Sequence, residues 1–106
     1  MPNAALAHDV YFELADASPA AQEALIASCY EKLAPIDGVV MCVAGSRDAE
    51  LTRDVNDLGF HVALHVYFDS RASHDAYQDA PAHLAFIEAN KSNWKSVRVF
   101  DAAISR

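Results

Sequence analysis

Hydrophobic and polar positions change period several times along this chain, and each change marks an element. Residues 8–14 alternate with period two: His8, Val10, Phe12 and Leu14 share one face, while Asp9, Tyr11 and Glu13 share the other. That pattern predicts a strand with two unlike faces. Ser18-Pro19 reads as a helix start, with serine as N-cap and proline at the first helical position. The helix is expected to run to about Leu33 and stop before Pro35, with Leu25, Ile26, Cys29, Tyr30 and Leu33 as its apolar stripe. Residues 39–45 form a continuous apolar run, read as a second strand. Residues 46–58 are polar and charged, a long connection with room for a helical turn at 51–55. Connections of that length in a small domain are often functional.

The clearest alternation covers residues 60–68. Phe60, Val62, Leu64, Val66 and Phe68 line one face of the predicted strand, and His61, Ala63, His65 and Tyr67 line the other. Asp69 or Ser70 caps the helix that follows, which is expected to turn Ala72, Ala76 and Tyr77 inward while His74 faces solvent. A short helix starting at Pro81 carries Leu84, Phe86 and Ile87. Trp94 is read as a packing or edge residue before a last strand in which Val97, Val99 and Asp101 share a face.

The order β–α–β–loop–β–α–β fits an α+β, ferredoxin-like layout of four antiparallel strands with helices on one face. The uniformly apolar rows, Val10/Phe12/Leu14, Phe60 to Phe68 and Val97/Val99, are then expected beneath the helices. The mixed row of Tyr11, His61, Ala63, His65, Tyr67, Arg98 and Phe100 is left on the open face. An exposed, partly apolar patch of that kind marks an interface, and two copies packed through it close a dimeric α/β barrel. In this strand order the first and last strands are neighbours, which puts His8 beside Asp101 on the helix side. Two readings of that pair stand: an ordinary core-rim histidine bonded to a carboxylate, or a histidine oriented by Asp101 at the edge of a pocket.

Composition narrows the function classes. The chain has 106 residues, 53% of them hydrophobic, which fits one domain over 1–106 with one core. A net charge of −7 argues against nucleic acid, whose phosphates need clustered Lys and Arg. No apolar run approaches the ~20 residues of a membrane span, and no signal peptide is visible. Cys29 and Cys42 each lie in an apolar pattern and suit buried thiols of a cytoplasmic protein better than a disulfide framework. His61 and His65 lie about 13 Å apart at strand rise, too far to share one metal at ~2.1 Å. No phosphate loop, zinc spacing or Ser-His-Asp constellation appears, so neither metal nor cofactor is expected.

The chemistry concentrates in residues 77–86. Tyr77 and His83 are six positions apart with Pro81 between them. Proline suits only the first turn of a helix, so one helix ends near residues 77–79 and another starts at Pro81. His83 then falls in a first turn, where the helix N-terminus disfavours its protonation and leaves it able to act as a base. The bland alternative is a helix corner in which both rings plug the core.

Taken with His8-x-Val10-x-Phe12 and Val97-x-Val99-Phe100-Asp101, this segment resembles the stress-responsive A/B-barrel (Dabb) domain family over roughly residues 8–101. The resemblance implies a homodimeric ferredoxin-like α/β barrel. The family includes a plant polyketide (olivetolic acid) cyclase. Residues there matching Tyr77 and His83 do the chemistry: the histidine is base for an intramolecular aldol closure, and the tyrosine holds the substrate's carbonyl end. By position, the pocket lining implied here is Val10, Phe12, Ile26, Ala27, Tyr30, Leu64, Phe86, Val97 and Val99, with His8 and Asp101 also matched. Ala27 replaces an aromatic, and Ala80 and Val62 each replace a histidine, so pocket shape and polarity differ. Three readings follow: a dimer binding a small hydrophobic or aromatic molecule, with or without cyclase or lyase chemistry; a non-enzymatic stress-response dimer; and a ferredoxin-like monooxygenase, which rests on fold analogy alone.

Overall fold

Strands and helices follow one another as β1 (Leu6–Leu14), α1 (Pro19–Ser28), β2 (Val39–Ser46), β3 (Val62–Phe68), α2 (Arg71–Asp79), α3 (Pro81–Asn90) and β4 (Trp94–Ala103), in a computed structural model that describes residues 3–105. The strands form one antiparallel sheet in the order β2-β3-β1-β4, the α+β, ferredoxin-like arrangement. Register is strongly specified because one face is buried: a slip by one residue would turn every apolar side chain of β1 to the other face. His8 lies opposite Val66 on β3 and Asp101 on β4, and Val10 lies opposite Leu64 and Val99. Strict alternation of buried and half-buried residues runs along β1 and β3. Each fully buried Val, Leu or Phe contributes ~1.5–3 kcal/mol by leaving water.

Serine side chains cap two of the three helix starts, those of α1 and α2. Ser18 Oγ accepts the Ala21 N–H at 3.2 Å, and Ser70 Oγ accepts the Ser73 N–H at 3.0 Å. After α1 the chain widens into a π-turn over Cys29–Leu33, which buries Cys29 and Leu33 completely. It leaves Tyr30 against β2, where the phenol accepts the Ala44 N–H at 3.0 Å and donates to the Ala44 carbonyl at 3.3 Å. β2 is an outer strand, so these are the free edge groups of the sheet, and the phenol stands in for a missing neighbour strand. Among the described residues no helix is long and apolar enough to cross a membrane.

Several details differ from the sequence expectation. Residues 51–55 form no helical turn. Two successive turns close instead, Leu51 N–H to the Asp48 carbonyl and Asn56 N–H to the Arg53 carbonyl. Strand β3 starts at Val62, so Phe60 escapes the alternation and packs on Tyr11 at the open face, with ring centroids 5.0 Å apart. The inward stripe of α2 is Ser73, His74 and Tyr77, while Ala72 and Ala76 are exposed. With Tyr77 buried, helical spacing brings positions three and four residues earlier to the same side. His74 therefore sits against Phe68 and His8 rather than facing solvent. In α3 the inward residues are His83, Phe86 and Ile87, and Leu84 is exposed. On the helix-facing side of the edge strand, Val97 and Val99 remain 39% and 49% exposed, because α1 seats on β2 and β3 and α2 on β3. The uncovered strip beside β4 is where a cavity opens.

Gly38 fixes how β2 meets α2. Its φ is +88°, and a Cβ there would lie 2.4 Å from Ser73 Cβ in the first turn of α2. Its carbonyl accepts the Asp69 N–H at 3.0 Å. Gly38→Ala is expected to lower stability by about 2–5 kcal/mol, combining left-handed strain of ~1–2 with overpacking of ~1–3. The urea midpoint should fall at constant m-value; an unchanged midpoint would contradict this account.

Candidate functional site

The site begins with a broken helix. Pro81 pushes the preceding residue out of the α region, and Ala80, at φ −64° and ψ 136°, is at once the C-cap of α2 and the N-cap of α3. In an unbroken helix the Gln78 carbonyl would accept the N–H four residues on. The break leaves it free, and His83 Nδ1 takes it at 3.1 Å. A carbonyl only accepts, so the His83 proton sits on Nδ1 and the lone pair is on Nε2. The same bond holds the imidazole over the Tyr77 ring, with centroids 4.5 Å apart and planes 35° apart.

Both rings line one cavity of about 170 Å³ between the sheet and the α2–α3 corner. Its floor is His8, Val10 and Phe12 of β1, Leu64 of β3, and Val97 and Val99 of β4. Tyr77 and Gln78 of α2 with His83, Phe86 and Ile87 of α3 form the roof, and Trp94 closes one end. Tyr77 is 1% exposed. Burial, then the nearby Cys42 and Cys29 thiols, push its phenol above the ordinary value, so it stays an O–H donor. Among the described residues its hydroxyl hydrogen-bonds to no protein group. The His83 imidazole is held below its usual value. Burial is the leading cause, the His8 imidazole adds to it, and the Gln78 carbonyl opposes it. The cavity thus presents a neutral donor and a neutral acceptor on apolar walls. Cys29 and Cys42 are free thiols that burial pushes up to about 12 and about 11, so neither is a nucleophile near neutral pH.

The structure brings Tyr77, His83, His8, Val10, Phe12, Leu64, Phe86, Val97 and Val99 to this cavity and leaves four expected residues away from it. Ile26 packs into the main core, Ala27 faces solvent, and Tyr30 is bound at the β2 edge. Asp101 sits outside the lining, with its Oδ1 2.5 Å from His8 Nδ1. Gln78, Ile87 and Trp94 are the lining residues that the sequence reading did not name. Gln78 and Ile87 could have been found, one residue beyond Tyr77 and four beyond His83. Trp94 needed the tertiary fold, which sets its ring 5.0 Å from Phe12 and leaves its buried Nε1–H without an acceptor among the described residues.

On the opposite face the register aligns Val43, His65, Asp9 and Phe100 in one row and Gly45, Ala63, Tyr11 and Arg98 in the next. Tyr67 lies opposite Ala7 and Met41. His65 Nδ1 is 2.6 Å from Asp9 Oδ1. The 47–61 connection folds over part of this face. Arg98 donates from both terminal nitrogens to Asp57, at 2.7 and 3.1 Å, and these bonds lower the Asp57 carboxyl to about 2. His61 lies just before β3, and its Nδ1 accepts the Leu14 N–H at 2.9 Å.

Among curated proteins none matches the sequence. Solved structures do share its shape. A dimeric ferredoxin-like protein from Thermobifida fusca is 21% identical, with a TM-score of 0.79 over 96% of this chain and 92% of that one. A Dabb family protein with a ferredoxin-like fold from Mesorhizobium loti is 21% identical, with a TM-score of 0.78 over 97% and 99%. The hydroxynitrile lyase of Passiflora edulis is 22% identical, with a TM-score of 0.76 over 98% and 96%. At these identities the likeness is one of fold. The sequence profile of the Stress responsive A/B Barrel Domain matches residues 6–104, nearly the whole chain, and the protein belongs to that family, Dabb.

Proposed function

We propose that the protein acts as a homodimer whose α2–α3 cavity binds a small, largely apolar carbonyl compound. The observation that carries this reading is the stacked pair in one cavity: Tyr77 with a free hydroxyl, and His83 with its proton tied to Gln78 so that Nε2 is left as acceptor. Pockets of this kind take ligands through apolar walls and a few placed polar groups. A cavity of about 170 Å³ suits a group of about one aromatic ring, and the exposed flank of β4 leaves room for a longer tail.

The chemistry such a pair supports is of cyclase or lyase type. His83 Nε2 takes a proton from the carbon next to a carbonyl, and Tyr77 donates its O–H to the enolate oxygen that develops. In a cyclisation the enolate carbon then bonds to a second carbonyl carbon, and the resulting alkoxide recovers the proton from the imidazolium. General-base work of this sort contributes ~10²–10⁴-fold, with the donor adding charge stabilisation. That a solved neighbour of this fold is a hydroxynitrile lyase is consistent with the class, although fold by itself assigns no reaction.

The pairing half of the proposal rests on the open face. Val43, Phe100 and Val55 there are 39%, 55% and 85% exposed, an apolar surface that pairing would cover. A dimeric protein of the same fold supports it.

Binding is read from thermal shifts against a panel of aromatic and polyketide-like carbonyl compounds. A bound compound at 100 times its Kd should stabilise the parent by about 2.7 kcal/mol. Tyr77→Phe and His83→Ala should each shrink that shift while leaving the unliganded melting temperature nearly intact. If no compound shifts the parent and His83→Ala alone loses ~1–3 kcal/mol, the pair is core packing and the reading fails.

His83 also sets a pH dependence. A histidine held below its usual value in the folded state binds fewer protons there than in the unfolded chain. Its cost is absent above the unfolded value of about 6.5 and grows as pH falls through that value toward the folded one. Denaturant midpoints of His83→Gln should therefore fall less steeply than the parent's below pH 6.5. Parallel profiles would remove the inference.

Light scattering at micromolar concentration should give twice the chain mass. Ala63→Glu should yield monomer, because carboxylates buried without partners at a two-fold interface are costly. A parent of single-chain mass would end the dimer proposal.

A further inference from the structure

We infer that His8, His74 and Asp101 form a binding site for one divalent transition-metal ion of the zinc type, at the edge where β1, α2 and β4 meet. One ligand atom from each lies within 4.8 Å of the others. The three come from separate elements, and His8 and Asp101 are 93 positions apart, so no sequence motif announces them. Asp101 Oδ1 stands between the two imidazoles, 2.5 Å from His8 Nδ1 and 3.9 Å from His74 Nε2.

Hydrogen bonding sets the state of His74. The Gln78 side-chain amide nitrogen can only donate, and it approaches His74 Nε2 at 3.4 Å, while His74 Nδ1 donates to Asp75 Oδ1 at 3.0 Å. His74 Nε2 therefore carries a lone pair, accepting from Gln78, and lies 3.9 Å from the carboxylate oxygen Asp101 Oδ1 with no proton of its own to donate to it. That niche is electron-rich and favours a cation. Asp75 on the far nitrogen is also the outer partner that metal-bound histidines almost always have, fixing the tautomer and raising basicity.

Closing on one ion takes modest shifts of all three side chains. Ligands at ~2.1 Å around a tetrahedral ion are ~3.4 Å apart, between the two distances that Asp101 now makes. The His8 and His74 side chains are 8% and 14% exposed, and their ligand nitrogens, now within 4.8 Å, draw together to that spacing on binding, while Asp101 at 44% is free to follow. The ion takes the place of the proton between His8 Nδ1 and Asp101, and that proton passes to His8 Nε2 or to solvent. Two imidazoles and one carboxylate suit zinc, cobalt, nickel or ferrous ions over magnesium or calcium. They also leave a coordination position open, as zinc sites with three protein ligands do. His8 is part of the cavity floor as well, so an ion here would adjoin the space beneath Tyr77.

Calorimetric titration of the chelator-treated full chain with Zn²⁺ tests this, together with visible spectra of its Co²⁺ form. One ion per chain is expected, with Co²⁺ bands typical of mixed nitrogen and oxygen ligation. His74→Gln and Asp101→Asn should abolish that binding, and Asp75→Asn should weaken it by roughly 10-fold or more. His65→Gln, at the Asp9 pair on the other face, should leave it unchanged. No Zn²⁺ uptake by the parent overturns the proposal. So does uptake that survives both His74→Gln and Asp101→Asn, or that His65→Gln removes. Should a variant fail to fold, the Co²⁺ spectrum and stoichiometry of the parent decide the matter: featureless spectra or no stoichiometric binding refute the site.

Discussion

One backbone constraint organises this molecule's chemistry. Pro81 has no N–H to donate and forces Ala80 out of the helical region, so α2 must end and α3 must begin at that point. The Gln78 carbonyl loses its helical donor as a result, and the nearest replacement is the His83 imidazole. That capture fixes the tautomer of His83, stacks its ring on Tyr77 and turns both into the same cavity. A continuous helix would have satisfied Gln78 by itself and carried residues 77 and 83 to different sides.

The cavity depends on a second constraint, unequal cover of the sheet. The three helices have one face of four strands to cover, and α1 and α2 seat on β2 and β3. β4 is left with its flank toward solvent and the floor beside it only partly roofed. The same imbalance explains the β2 edge, where a π-turn lets Tyr30 satisfy both free groups of Ala44. On the opposite face the 47–61 connection is drawn in by the Arg98–Asp57 pair, and apolar side chains still remain outside.

The polar groups of the helix side follow the register. Because β1 lies between β3 and β4, a histidine on its buried face meets a β4 residue directly, and here that residue is Asp101. One turn of α2 above Tyr77's neighbours places His74 over the same point, with His8 and His74 centroids 5.4 Å apart. Three titratable side chains thus converge where a purely apolar sheet–helix contact would be expected, beside a cavity whose own pair of rings is neutral.

The sequence by itself determined the strands, the helix starts and the neighbour relation of β1 and β4. These rest on local signals: period-two alternation, Ser-Pro and Ser caps, and a proline whose steric limits hold in any context. It also placed Tyr77 and His83 on either side of one break. What it misjudged was which side of a helix or strand end meets the core. Ala72, Ala76 and Leu84 are apolar enough to be buried but lie off the stripe that Tyr77 and Phe86 define, while His74 lies on it. Phe60 fits the alternation of β3 but precedes the first residue held by the sheet, and so packs on Tyr11 instead. Tertiary packing alone decided that Tyr30 serves the sheet edge, that Trp94 closes the cavity, and that His74 joins His8 and Asp101. Each of those outcomes pairs residues from distant parts of the chain, and the free energy that selects them is burial and hydrogen bonding across elements, which no local pattern records.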